Sequence, residues 1–159
     1  MFLDPLTGLF NRRFLIKCLE DIQKRGDNLS ICFLDIDSFK QVNDSYGHDV
    51  GDIVLKTLSV KLQGEIRKKD LAFRIGGDEF VILFFDLKIQ EAEQVVQRIQ
   101  SVLERVKFKD FPNLNISLSY GFSQWMTDST VSIEDALREA DLQMYKRKFE
   151  KKRDFPFPS

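Results

Sequence analysis

The chain has 159 residues, with 24 Lys+Arg against 25 Asp+Glu, 43% hydrophobic and 31% charged residues. That is the composition of one globular domain and not of a disordered segment. The formal charge of -1 argues against a protein that coats nucleic acid or an anionic membrane, and one histidine (His48) with two cysteines outside CxxC spacing (Cys18, Cys32) argues against a His-rich metal centre, a zinc ribbon or a disulfide framework.

The chain opens on Met1-Phe2-Leu3-Asp4-Pro5 and carries no apolar run of the roughly 18 residues that a membrane helix needs. A cytoplasmic protein without a membrane segment is therefore expected. After Gly8, the spacing of Leu9, Phe14, Leu15, Cys18, Leu19 and Ile22 by threes and fours predicts a helix that stops at Gly26. Residues 29–37, mostly apolar and rich in branched and aromatic side chains, predict a buried strand ending in Asp35 and Asp37. A short helix over 38–45 and a longer one from about 50 to 66 follow, separated by Gly47.

Leu71–Ile75 and Phe80–Phe85 flank Gly76-Gly77-Asp78-Glu79, the pattern of a hairpin with a glycine pair at its tip. Helical spacing returns over 89–106, residues 114–122 alternate apolar and polar as a strand with one wet face, and Ser132-Ile-Glu-Asp135 is a capping box opening a final helix. The order α-β-α-α-β-β-α-β-α predicts an α+β domain over residues 1–153: a mixed sheet with a central hairpin and flanking helices, ferredoxin-like or palm-type. Residues 154–159 are expected to be a tail. The 15 phenylalanines are expected to fill the layers between sheet and helices.

Strand alternation directs Asp35 and Asp37 to one side, and the hairpin tip brings Asp78 or Glu79 beside them if the two strands are neighbours. Three or four converging carboxylates are unfavourable without a hard divalent cation, and oxygen ligands select Mg²⁺ or Mn²⁺. On the aspartates alone, solvated strand ends and an ordinary turn are the simpler account. Lys40 just after the first feature, and glycine at the second where a backbone can approach a ligand, favour a metal-bound phosphate substrate.

Asp35-Ile-Asp-Ser-Phe-Lys-Gln-Val-Asn-Asp44, Gly47-His48-Asp49-Val50-Gly51-Asp52 and Arg74-Ile-Gly-Gly-Asp-Glu-Phe80 resemble the GGDEF domain of diguanylate cyclases. Asp4-Pro-Leu-Thr-Gly-Leu-Phe-Asn-Arg-Arg13 is similar to that domain's opening segment, so the resemblance runs from residue 4 to about 153. It implies a nucleotide cyclase-like fold that condenses two GTP into cyclic di-GMP and two pyrophosphates. By motif position, Asp35, the Ile36 carbonyl and Asp78 hold one or two Mg²⁺ ions, and Glu79 assists the metal site or deprotonates the attacking 3′-hydroxyl.

Asn43 and Asp52 match the guanine-reading positions, where adenine would leave the carboxylate unpaired. Phe39, Lys40, Gly76 and Gly77 match the segments around the phosphates, and Lys148 matches a phosphate-binding lysine. The family's usual glycine-arginine pair falls on Lys151-Lys152, so the phosphate role passes to Lys152 or to Arg153 one step later. Read without the resemblance, the basic run from Lys146 to Arg153 complements a helix C-terminus in solvent.

Arg67-Lys-Lys-Asp70 stands five residues before Gly76, the offset of the family's inhibitory RxxD site, with Arg98 as the second arginine. Product inhibition through these residues is what the resemblance implies. One carboxylate cluster per domain, set against two identical links in the product, implies an antiparallel homodimer, brought together by an upstream sensory or dimerising module. The alternative is a weak or inactive domain acting as a GTP or cyclic di-GMP sensor.

Overall fold

The computed structural model describes residues 1–154. Five helices, α1 (Arg12–Arg25), α2 (Phe39–Tyr46), α3 (His48–Glu65), α4 (Ile89–Glu104) and α5 (Ile133–Asp154), alternate with four strands, β1 (Leu29–Ile36), β2 (Leu71–Arg74), β3 (Glu79–Phe85) and β4 (Leu118–Trp125). The strand order is β2-β3-β1-β4. The expected α+β, palm-type architecture is present. Strand direction differs from the expectation: every ladder is antiparallel, and among the described residues the one parallel pairing is the isolated bridge between Phe10 and Phe73. The connections through α2–α3 and α4 each return the chain in the same sense but one strand away, with β3 lying between β1 and β2 and β1 between β3 and β4, so every neighbouring pair is antiparallel.

All eight residues of β1 are buried, because both of its faces are covered. Cys32, Leu34 and Ile36 point into a core shared with Val54 and Leu58 of α3 and Val96 and Ile99 of α4. Ile31 and Phe33 point into a second core with Leu15 and Leu19 of α1 and Ala140 and Met144 of α5. Phe73, Phe80 and Phe84 are fully buried, as bulk between the layers requires.

Local chemistry sets the helix ends. Asn11 Oδ1 accepts from Phe14 N at 3.0 Å to open α1, and Gly26 at φ 80° ends it. Ser132 Oγ accepts from Asp135 N at 3.1 Å at the start of α5, as the capping box predicts.

The last strand starts at Leu118 and not at residue 114. Leu114 and Ile116 are buried, which explains their alternation, but β1 ends opposite Leu118, so the residues before it have no ladder to join. Gly121 of β4 lets α5 lie directly on the sheet, since a Cβ there would overlap the Met144 nitrogen and the Ala140 carbonyl. This close approach carries the C-terminal half of α5 to the end of β1. Of the expected tail, Asp154 belongs to α5 and residues 155–159 lie outside the described residues. Among the described residues no helix is long and apolar enough to cross a membrane.

Candidate functional site

β1 and β3 are neighbours, and Asp35 stands directly opposite Glu79 at the end of their ladder. Both side chains therefore project from the sheet face that α5 covers. The Ile36 amide donates to the Asp78 carbonyl at 3.3 Å, continuing the pairing into the turn. Asp35 is buried, at 8% exposure, with one carboxylate oxygen 3.0 Å from Lys148 Nζ and the other, Oδ1, buried without any donor. Burial, together with Asp78 within hydrogen-bond reach, pushes the Asp35 carboxyl up to about 7, and Lys148 only partly opposes this. Burial likewise raises Glu79, reinforced by Asp141 and Asp78.

The hairpin turn is anchored from a distance. Arg74 donates to the Gly77 carbonyl at 2.8 and 3.1 Å and pairs with Asp4 at 3.1 Å, tying the chain's opening segment to the glycine turn. Burial alone would raise the Asp4 carboxyl, but bonds from Thr7 and Arg74 hold it below its ordinary value. A Cβ on Gly76 would come within 2.6 Å of Glu79 Oε1, so a larger residue there would displace the Glu79 carboxylate. Gly77 is exposed and has open space around it.

The expected gathering of carboxylates is incomplete: Asp35, Asp78 and Glu79 stand together at the β1–β3 end without Asp37. Among the described residues no group of three acidic, histidine or cysteine side chains is arranged to hold a metal. Asp37 is diverted from it, its carboxylate accepting from Ser117 Oγ at 2.7 Å, Ser119 Oγ at 2.6 Å and Lys151 Nζ at 2.8 Å. Burial would raise this carboxyl, yet the three donors hold it below its ordinary value. The remaining donor set is two carboxylates and a backbone carbonyl.

Beside Asp35 lies a cavity of about 310 Å³, lined by Glu79, Asp141, Tyr145, Lys148, Phe149 and Lys152 among others. Lys152 thus faces the same space as Asp35 and Lys148.

On the other side of the β1 terminus, Ser38 adopts a left-handed backbone, φ 57°, and the first turn of α2 begins with no side-chain cap. Its free N–H groups, with half-buried Phe39 and exposed Lys40, form a donor-rich corner. Asn43 of α2 rests against Gly51 of α3, where any Cβ would overlap the Asn43 side-chain oxygen and touch the Phe39 ring at 3.3 Å. Asp52 follows on the exposed face of α3.

The sequence model of the GGDEF family, described as "Diguanylate cyclase, GGDEF domain", matches residues 1–154. The chain belongs to the GGDEF family. The response regulator PleD of Caulobacter vibrioides is 36% identical over 152 residues, covering 91% of this chain and 33% of PleD. The diguanylate cyclase DosC of Escherichia coli is 33% identical over 147 residues, covering 90% of this chain and 32% of DosC. The chain thus spans about a third of the length of these curated relatives. Among solved structures, diguanylate cyclase SiaD of Pseudomonas aeruginosa superposes with a TM-score of 0.85 at 32% identity, over 94% of this chain and 58% of that one. The GGDEF domain of DgcB from Caulobacter crescentus, solved in complex with c-di-GMP, gives 0.83 at 25% identity, over 94% and 91%.

The RxxD residues of this GGDEF domain are closed on one another. Arg67 donates to both oxygens of Asp70 at 2.8 and 3.0 Å and also to the Phe85 carbonyl at 2.6 Å, leaving the Asp70 side chain 1% exposed. Arg98 of α4 pairs with Glu65 at the end of α3, at 3.3 Å, and not with Asp70. A cavity of about 270 Å³ adjoins Arg67 and Asp70.

Sequence reasoning assigned no contact to Arg74, Gly51 or Lys151, which the structure places on the Gly77 carbonyl, against Asn43 and on Asp37. Arg74 and Gly51 sit inside quoted motifs, which was the available signal, but their partners are distant in the chain or on another helix.

Proposed function

We propose that this GGDEF domain is a diguanylate cyclase catalytic unit that condenses two GTP into cyclic di-GMP and two pyrophosphates as an antiparallel homodimer. The observation that carries the reading is the buried Asp35 carboxyl with half-buried Asp78 beside it and Asp35 Oδ1 lacking any donor. Such a pair is stable only with a shared proton or a cation, and hard oxygens with a single adjoining carbonyl suit Mg²⁺, which keeps open positions for substrate phosphates. Asp35, the Ile36 carbonyl and Asp78 would hold it. When bound, the ion supplies positive charge to the triphosphate and to the attacking and leaving oxygens.

The rest is the work of this chain's own side chains. The Phe39–Lys40 corner, Gly76, Gly77, Lys148 and Lys152 bind the triphosphate, Lys148 turning from Asp35 to a phosphate oxygen. Asn43 and Asp52 read the guanine edge. Glu79, its carboxyl raised above the ordinary range by burial and standing opposite Asp35, accepts the proton of the attacking 3′-hydroxyl. That oxygen bonds to the α-phosphorus of the GTP held by the second copy, and the bond to the bridging oxygen breaks, releasing pyrophosphate.

Mass analysis after incubation with Mg²⁺ and GTP, with ATP as control, tests the reading. Cyclic di-GMP from GTP alone is expected; no product at micromolar enzyme, or product from ATP, overturns it. GTP bound without turnover would instead identify a nucleotide sensor, a reading that the Gly76–Phe80 motif argues against and the Lys151-Lys152 departure leaves open.

Gly51→Ala separates guanine reading from stability. Alanine is the better helix former by about 1 kcal/mol, so melting temperature is expected to hold or rise, while the displaced Asn43 raises KM for GTP about tenfold, a loss of roughly 1.4 kcal/mol. An unchanged KM would remove Asn43 from the guanine site.

For regulation, the proposal assigns product inhibition to Arg67, Asp70 and Arg98. Arg67→Ala is expected to raise the concentration of cyclic di-GMP needed for half-inhibition at least tenfold, measured at fixed GTP; an unaltered value assigns inhibition elsewhere.

A further inference from the structure

We propose that Lys151, acting through Asp37, is a positioning residue that sets the register of the last turns of α5 against β1 and so presents Lys148 and Lys152 to the triphosphate. The inference rests on the GTP reading above and deepens it.

Lys148 and Lys151 are three residues apart on one helix face, and Asp35 and Asp37 are two apart at the end of one strand. The two ion pairs therefore run side by side, Lys148 to Asp35 at 3.0 Å and Lys151 to Asp37 at 2.8 Å. They differ in what else each aspartate meets. Asp35 has a buried oxygen without a donor, so Lys148 can exchange it for a phosphate. Asp37 is fully occupied by Ser117, Ser119 and Lys151, and Lys151 Nζ also donates to the Leu118 carbonyl at 2.6 Å.

An isolated pair with a lysine 40% exposed would contribute little. Here the ammonium joins three chain segments: the β1 terminus, the first residues of β4 and the final turn of α5. Lys151 lies in the last described turn of α5, within three residues of Asp154. When Lys148 moves to substrate, the bond to Asp37 is the link that stays. Lys152, which lines the cavity beside Asp35, depends on that turn being formed. A glycine at position 151, the residue usual in the motif this segment resembles, has no side chain to make this link.

The test uses the whole chain with Mg²⁺, measuring steady-state kinetics with GTP, affinity for a non-reactive α,β-methylene GTP analogue, and amide hydrogen exchange without nucleotide. Lys151→Met is expected to raise KM and the analogue's Kd about tenfold with kcat changed less than threefold, and to speed exchange over residues 148–154. Lys151→Arg is expected to restore all three. Asp37→Asn is expected to reproduce the effect, and the double variant to be no worse than either single one; this variant carries the test if Lys151→Met does not fold.

KM and Kd of both single variants within twofold of the unaltered chain, or unchanged exchange, overturn the proposal while leaving the cyclase reading intact. An unaltered chain that binds the analogue but releases no cyclic product overturns the cyclase reading, and the affinity and exchange results still decide the role of Lys151. No binding of the analogue by the unaltered chain overturns both.

Discussion

Asp78→Ala is expected to lower cyclic di-GMP formation by about a thousandfold or more, the scale set by several kcal/mol of lost charge stabilisation. The side chain lies in the turn after Gly76-Gly77, beside the buried Asp35 carboxyl. The loss is expected in catalysis and not in folding. Burial still raises the Asp35 carboxyl without Asp78, but the acidic neighbour that raises it further is gone, and Lys148 pairs with Asp35 unopposed by it. Melting temperature in the absence of metal should therefore hold or rise, and the increase in melting temperature that Mg²⁺ gives the unaltered chain should disappear. A variant retaining a tenth of the original rate would remove Asp78 from the metal site.

Asp35→Asn is expected to abolish turnover as well, yet to stabilise the metal-free protein at pH 7. Burial and Asp78 raise this carboxyl from 3.8 to about 7 in the folded chain. Between those values the folded state holds a proton that the unfolded state has released, so stability falls as pH rises from about 4 to 7. The asparagine variant has no such proton to lose. At pH 7 its advantage is about 1–3 kcal/mol, or several degrees in melting temperature, and it vanishes toward pH 4. Melting curves across this range, with and without Mg²⁺, are the measurement. Equal pH slopes for the two proteins, or a less stable asparagine variant at pH 7, would refute the buried, proton-sharing site. The site trades stability for affinity: the same oxygen that destabilises the fold is free for a cation.

Much of this was legible in the chain because the signals are local. The apolar run before Asp35 marked a strand buried on both faces, the glycine pair marked the turn that carries Asp78, and helical spacing found α1, α3, α4 and α5. Alternation around Leu114 and Ile116 was also real, since both are buried, but alternation reports burial and not pairing, and β1 offers no partner before Leu118. Asp37 was misplaced for a related reason. Period two gives the face on which a side chain stands, while the partners that take its charge, Ser117, Ser119 and Lys151, come from segments about 80 and 114 residues away.

By itself, the order of residues determined the elements, the family and the positions of the acidic and basic groups, because periodicity, capping and turn chemistry act over a few neighbouring residues. Which acid keeps a proton, which is neutralised, and which lysine remains free for a phosphate were decided only when Gly121 let α5 settle on β4 and Arg74 tied the glycine turn to Asp4. Charge interactions in a partly buried site change steeply over a few ångströms, and distances of that order between remote segments exist only in the folded chain.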